Sequence, residues 1–400
     1  MPHSSPAKII ARDSPGPLYA FQKTIRQWRN WVGHRKTGTQ PTAVDFETPD
    51  QLLRRLGDGD NVIKSFQVDN CGPLSHVAAH DLEALNLLIG PNGCGKTFLL
   101  KALYATIRAR EETGRGEDPR EFDEILSDKL YWTFQPEKLG DIAQKGASKR
   151  LKLSIIMTDN CAVVFEFGPD TQRKIASLHN NLPARQANSI FLPPKEVLTL
   201  AQVILKSTLQ DKAFGFDATY VDLVLALQNP TQRGRNYDAF KRSRQTLNSL
   251  FKGRIEYNSS SARWIYRQGN SRFSINATAE GIKKIAILDI LLGNRYLTPD
   301  SIVFIDEPES ALHPTAISEL LDIIWQLSGA GLQFFIASHS YFVVKKLYLL
   351  ALQNKINLPV LVADSSNRWR QSDLRAGIPD NEIVNESIRL FDAELDASWS

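Results

Sequence analysis

The amino-acid sequence predicts an α/β fold, a largely parallel sheet with helices on both faces, and three stretches carry that expectation. GPNGCGKT, residues 90–97, stands between an apolar run that reads as a strand and TFLLKALYATIRAR, which has helical periodicity. SIVFIDEPES, residues 301–310, is an apolar strand that ends in two adjacent carboxylates. From Ile282 onward helices alternate with the strands SIVFID, LQFFIAS and LPVLVAD, and a last helix opens near Asp380. That alternation belongs to a parallel sheet covered on both sides.

Composition bounds the rest. A chain of 400 residues with 42% apolar side chains can bury a full core as one large domain or two ordinary ones. Its net charge of +4 is small for this length, so any nucleic-acid role needs a local patch. Cys71, Cys94 and Cys161 form no CxxC pair, which argues against a disulfide framework or zinc site and fits a reducing cytoplasm. Neither the N-terminus nor any later stretch offers a signal-peptide core or the run of about 20 apolar residues that spans a bilayer, so a cytoplasmic protein without a membrane segment is expected.

Four regions are expected: a basic N-terminal extension at 1–60, an N-terminal lobe at 61–110, an inserted α+β lid or arm at 111–275, and a C-terminal lobe at 276–400. In the first, Phe21, Ile25, Trp28 and Val32 fall at helical spacing beside Lys23, Arg26, Arg29, Arg35 and Lys36. They read either as an amphipathic helix packed on the main body or as a basic binding arm. In the third, LKLSIIM and CAVVFEF flank a Thr-Asp-Asn turn and read as a hairpin.

Gly90, Gly95, Lys96 and Thr97 satisfy G-x-x-x-x-G-K-[ST] between a strand and a helix, the context of a phosphate-binding loop and hence of a P-loop NTPase. Asn92, Gly93 and Cys94 contribute backbone N–H groups, Lys96 reaches the β and γ phosphates, and the Thr97 hydroxyl is placed for Mg²⁺. Asp306, at the carboxyl end of a buried strand, is expected to hold Mg²⁺ directly or through water, and Glu307 to orient or deprotonate the attacking water. His339, after LQFFIAS, reaches the same sheet edge as a candidate γ-phosphate sensor. The expected chemistry is Mg²⁺-dependent hydrolysis of a nucleotide's γ phosphate. Cys94 reads first as a small side chain where serine would also serve, its backbone N–H being the working group. Beside a helix N-terminus and Lys96, a setting that can lower a thiol pKa, it is also a candidate for alkylation that blocks nucleotide binding and is prevented by bound nucleotide.

About two hundred residues separate Lys96 from Asp306, far more than the roughly 30 of one βαβ unit, which disfavours a minimal switch GTPase or small kinase. GPNGCGKT, DEPESALHP and ASHS together resemble ABC-class ATPases of the branch containing SMC, RecF-like and OLD-like proteins, closest to the stand-alone bacterial AAA family ATPases. FQPEKLGDIAQKG, FLPPKEVLTL, AEGIKKIAIL and DLRAGIPDNEIVNESIRLF look like the same group, so the resemblance runs from about Val62 to the end. It implies an ABC-ATPase-like head that dimerises around ATP, each nucleotide clamped between one subunit's phosphate loop and the other's signature motif. Here the signature would be Ala279, Glu280 and Gly281; Ala279 replaces the usual serine, so the hydroxyl contact is missing or shifted to Thr278. By analogy Gln135 takes the place of the Q-loop glutamine, and His313 caps the next helix or touches the dimer interface.

Three function classes compete: an ATP-driven switch acting on DNA or a separately encoded effector, a transporter ATPase subunit, and a nuclease with its own domain. The transporter class lacks an LSGGQ-type signature, and beyond His339 only 61 residues follow, which read as completion of the ATPase sheet. The expectation is an ATP-dependent homodimer acting in anti-phage defence or genome maintenance, with a RecF/SMC-like repair ATPase or a transporter subunit as alternatives. A basic segment supplies a candidate DNA surface: Arg233, Arg235, Lys241, Arg242, Arg244, Lys252, Arg254, Arg263, Arg267 and Arg272, interleaved with Tyr237, Phe240, Trp264 and Tyr266. It reads equally as a solvated face or a docking site for an acidic partner.

Overall fold

The computed structural model describes residues 62–399 except 146–148, 233–235, 252, 259 and 262. The expected N-terminal extension, with its amphipathic stripe at 21–36, lies outside the described residues, as do Arg233, Arg235 and Lys252.

The described chain opens with the antiparallel hairpin β1 (Ile63–Cys71) and β2 (Leu74–Ala79), then β3 (Leu85–Ile89), whose five residues are all buried. The phosphate loop follows, and then α1 (Lys96–Glu112) and α2 (Phe122–Phe134). The expected hairpin forms as β4 (Leu151–Met157) and β5 (Ala162–Phe167), with Asn160 in the left-handed region its turn requires. With β6 (Ser177–Asn180) these strands extend the first hairpin into an antiparallel sheet of order β2-β1-β4-β5-β6. Alternation of buried and less buried residues along β4 turns one face of that sheet to a core.

Next come β7 (Ile190–Leu192), α3 (Ala201–Leu205), α4 (Ala218–Gln228) and α5 (Asp238–Phe251). A small antiparallel sheet is made of β8 (Arg254–Asn258), β9 (Arg263–Gln268) and β10 (Ser271–Ser274). The C-terminal part runs α6 (Glu280–Gly293), β11 (Ile302–Asp306), α7 (Pro314–Ser328), β12 (Gln333–Ser338), α8 (Tyr341–Asn354), β13 (Pro359–Ala363), β14 (Trp369–Asp373) and α9 (Glu382–Trp399).

The central sheet has the order β14-β13-β3-β12-β11-β7 and is parallel except for β14. The strands inward of β14 alternate between two cores. Leu87, Ile89, Val303, Ile305, Phe334 and Ile336 face one, which α6, α7 and α8 complete. Leu88, Ile302, Phe304, Phe335 and Ala337 face the other, which α1 and the five-stranded sheet complete. Tyr104 of α1 packs its ring edge against Phe191 and Phe304 at 5.9 Å each, and its hydroxyl donates to Asp222 at 2.7 Å. The architecture is thus α/β, a mostly parallel sheet with both faces covered.

Residues 111–275, expected as one inserted arm, are spread over three places. Strands β4 to β6 join the first hairpin because β1 offers an unpaired edge with matching alternation, and Val68 pairs with Leu153. Strand β7 borders the parallel sheet beside β11, pairing Phe191 with Phe304. Helix α5 and the three-stranded sheet stand against α6 and α7. Among the described residues no helix is long and apolar enough to cross a membrane.

Candidate functional site

Register brings the site together. Leu87 pairs with Ile336 and Ile305 pairs with Ile336, so β3, β12 and β11 end side by side and present the phosphate loop, Ser338–His339 and Asp306–Glu307 at one sheet edge.

In the loop, Gly95 has φ 97°, and a Cβ there would lie 2.6 Å from the Leu74 side chain; only glycine fits both the backbone and the hairpin packed beneath it. The Lys96 ammonium donates to the carbonyls of Gly90 and Pro91 at 2.8 and 2.9 Å. The Thr97 hydroxyl donates to Asp306 Oδ2 at 2.8 Å across 209 residues of sequence. Asp306 is 2% exposed, and burial pushes its carboxyl above the ordinary range, with the Thr97 hydrogen bond opposing. Lys101, one helical turn beyond Thr97, ion-pairs with Asp217 at 2.6 Å. Burial, with Asp217 and Asp306 beside it, holds the Tyr220 phenol up at about 12.

One hydroxyl and one carboxylate are too few to cage a cation alone, and among the described residues no group of three or more His, Cys, Asp or Glu has metal-holding geometry. The pair fits Mg²⁺ shared with nucleotide phosphates and water, the usual mode for that ion.

Glu307 has φ 49°, and its N–H donates to the Ala337 carbonyl at 2.9 Å. Its Oε1 lies 3.4 Å from His339 Nδ1, which joins the two candidate catalytic side chains. Glu309 was not anticipated, although a carboxylate two residues after Glu307 was a readable signal. Its Oε1 accepts from the Ser338 hydroxyl at 2.8 Å and the His339 N–H at 3.2 Å, while the buried Oε2 has no partner. Glu309 therefore orients the turn that carries His339.

Asn92, Gly93, Cys94 and Gly95 sit in the loop as expected, and the surroundings of Cys94 oppose the lowered thiol pKa that its place in the loop suggests. The thiol is 1% exposed, and burial pushes its pKa up despite Lys96 Nζ at 3.9 Å. Gln135 sits next to Phe134, whose ring is 4.3 Å from that of Phe98 on α1. Its amide, however, donates to the Phe216 carbonyl at 2.9 Å and accepts the Gly215 N–H at 3.1 Å, and neither contact is with Thr97 or Asp306. His313 caps α7 by accepting the Thr315 N–H at 3.3 Å, the first of its two expected roles.

Ala279 is the N-cap of α6 and makes no capping hydrogen bond. Thr278 does not replace the absent hydroxyl, because its Oγ1 donates backward to the Ser274 carbonyl at 3.3 Å. Gly281 is needed for close approach: a Cβ there would meet the Ala311 carbonyl at 2.8 Å. The start of α6 thus rests on the segment that follows Glu307.

A cavity of about 630 Å³ adjoins the phosphate loop, bounded by Gly90, Pro91, Asn92 and His339 and by Glu382, Glu386 and Arg389 of α9. A larger one, about 1770 Å³, lies between α5 and the β8–β9 hairpin, away from the nucleotide motifs. The basic segment borders it. Arg244 pairs with Asp289 at 2.8 Å, and Arg254 and Arg267 pair with Glu256 at 3.6 and 3.4 Å. Phe240, Trp264 and Tyr266 are core residues, which leaves Tyr237 as the exposed member of the expected aromatic set. Lys241, Arg242, Arg263 and Arg272 are exposed.

No functionally curated protein matches the chain. Similar solved structures include an Smc head bound to the C-winged helix domain of ScpA, at 13% identity and a TM-score of 0.48 over 78% of this chain and 97% of that one. A Pyrococcus furiosus Smc head with an extended coiled coil, bound to the C-terminal domain of ScpA, is 10% identical with a TM-score of 0.46 over 83% and 99%. The SMC head domain from Thermotoga maritima is 14% identical with a TM-score of 0.41 over 78% and 98%. A family model described as an AAA domain, and linked by that description to the AbiEii toxin of type IV TA systems, matches residues 85–345. Because that match takes in more than half of the chain and contains the phosphate loop, Asp306, Glu307 and His339, the protein belongs to this AAA-domain family of P-loop ATPases.

Proposed function

We propose that the chain is an ATP-hydrolysing switch that closes as a homodimer around Mg²⁺-bound ATP and passes its state to DNA or to a separately encoded effector. The observation that carries this reading is the Thr97–Asp306 hydrogen bond of 2.8 Å, with Glu307 and His339 3.4 Å apart at the same sheet edge. Thr97 and Asp306 would hold the cation, which when bound would neutralise charge on the phosphates. The loop amides and Lys96 bind and orient the phosphates, Lys96 exchanging its present carbonyl partners for the β and γ oxygens. Glu307 accepts a proton from water as the water oxygen attacks the γ phosphorus, and the bond to the bridging oxygen breaks to give ADP and phosphate. His339, oriented by Glu309, donates to the γ phosphate. The signature residues Ala279, Glu280 and Gly281 complete the second copy's site through the N-terminal amides of α6.

The test is Glu307→Gln. ATP binding should persist and a dimer should accumulate with ATP, while turnover falls by about 10²- to 10⁴-fold. Wild-type turnover in this variant would remove the base assignment. The same variant with ATP, used as bait, separates the outputs: nucleic acid alone favours genome maintenance, and a stoichiometric protein partner favours an effector system.

A further inference from the structure

Two neighbouring lysines near the start of α6 have different surroundings. Lys283 is buried against ordinary partners, with Glu196 Oε1 at 3.2 Å and Thr199 Oγ1 at 2.8 Å. Lys284, three residues after Gly281, also turns inward, but its ammonium donates to two backbone carbonyls. One is that of Glu307, through a short hydrogen bond, and the other is that of Pro194 at 3.4 Å. Burial lowers the ammonium pKa to about 8, and the nearby carboxylates of Glu309, Glu307 and Asp306 oppose that only in part. A partly desolvated cation spent on a carbonyl is an expensive way to hold a helix, which points to the residue that it holds.

Glu307 needs holding. Its φ of 49° is the left-handed region that non-glycine residues rarely occupy, and such a conformation persists only where the surroundings fix it. The N–H is fixed by the Ala337 carbonyl at 2.9 Å, and the carbonyl is fixed by Lys284. With both backbone groups of the residue clamped, the point from which its side chain reaches His339, 3.4 Å away, is fixed. Helix α6 touches the segment after β11 at two points: Lys284 on Glu307, and Gly281 against the Ala311 carbonyl.

We propose that Lys284 is a positioning residue for Glu307: it pins the carbonyl of the catalytic glutamate to the helix whose N-terminus meets the second nucleotide, so a shift of α6 re-aims the carboxylate. This rests on the reading that Glu307 activates water. The state of one nucleotide site then reaches the base of the other through a single side chain and one hydrogen bond.

The experiment compares Lys284→Met, Lys284→Arg, Glu307→Gln and the Lys284→Met/Glu307→Gln double variant in steady-state ATP hydrolysis, with ATP affinity read from a fluorescent ATP analogue. Lys284→Met should lower kcat by about 100-fold, the scale of a misplaced reacting group, with KM and nucleotide affinity nearly unchanged. Lys284→Arg keeps a donor and should retain more activity than Lys284→Met. The double variant should be no slower than Glu307→Gln alone, because both changes act on one group. Should Lys284→Met not fold, Lys284→Gln, polar but one bond short of the carbonyl, gives the same readout. Wild-type kcat in Lys284→Met or Lys284→Gln beside an inactive Glu307→Gln overturns the proposal, as does a multiplicative loss in the double variant. Wild-type turnover in Glu307→Gln overturns both this proposal and the reading beneath it.

Discussion

Cys94 occupies a loop position where, on the proposed reading, the backbone N–H serves the phosphates and the side chain is free to pack. It packs inward, against Lys96 and the Gly90 turn, and that placement reverses what position in the loop alone implied. A helix N-terminus and a lysine lower a thiol pKa only where water can stabilise the rest of the thiolate; at 1% exposure desolvation wins. Cys71 is buried to the same degree, and burial alone drives its thiol far up. Cys161 is only partly buried, though burial and the neighbouring Asp159 raise its thiol too. Iodoacetamide near neutral pH should therefore label Cys161 first, and Cys71 and Cys94 only after denaturation, with or without ATP. Peptide mass mapping of the native protein checks this, and ATP-protected labelling at Cys94 would contradict it.

At the scale of elements, the start of α6 is the feature most open to improvement. Ala279 has the extended backbone of an N-cap, φ −58° and ψ 141°, yet no side-chain oxygen accepts from the first-turn amides. Ala279→Ser should stabilise the fold by about 1 kcal/mol, the usual gain at an N-cap, read as a raised midpoint in urea. No shift would mean that those amides already have partners. What the sequence revealed, and what it hid, divides along the same lines. Strands β3, β11 and β12 were legible because each is a mostly apolar run that leads directly into a chemically distinctive motif. Strand β7 was not, because three residues carry no period and its partner β11 is more than one hundred residues away. Lys284 was invisible for a related reason: a lysine in a helix reads as surface until the fold places a carbonyl within its reach. Glu309 lay in plain view in DEPES, but its task depends on Ser338 and His339 arriving from another strand.

For the molecule as a whole, the parallel sheet collects one site from three distant stretches, while the output surface must come from elsewhere. The net charge of +4 gives no global attraction to nucleic acid, and part of the basic segment is already ion-paired: Arg244 to the buried Asp289, and Arg254 and Arg267 to Glu256 at the surface. Base stacking on Phe240, Trp264 or Tyr266 is excluded by their burial, so any DNA contact there is with the backbone. Lys241, Arg242, Arg263 and Arg272 are exposed, as is Arg254 beside Glu256, and the first four are the candidate phosphate contacts. If all four meet phosphates, the logarithm of DNA affinity should fall against the logarithm of salt with a slope of roughly −3 to −4, without strong sequence preference. Lys241→Glu with Arg242→Glu should cut that slope by roughly two and weaken binding by at least tenfold, while ATP turnover without DNA stays unchanged because both residues lie outside the nucleotide site. Fluorescence anisotropy with labelled duplexes across a salt series measures both quantities. Affinity and slope unchanged by the double reversal would remove α5 as a DNA surface and leave a protein effector as the route by which this ATPase acts.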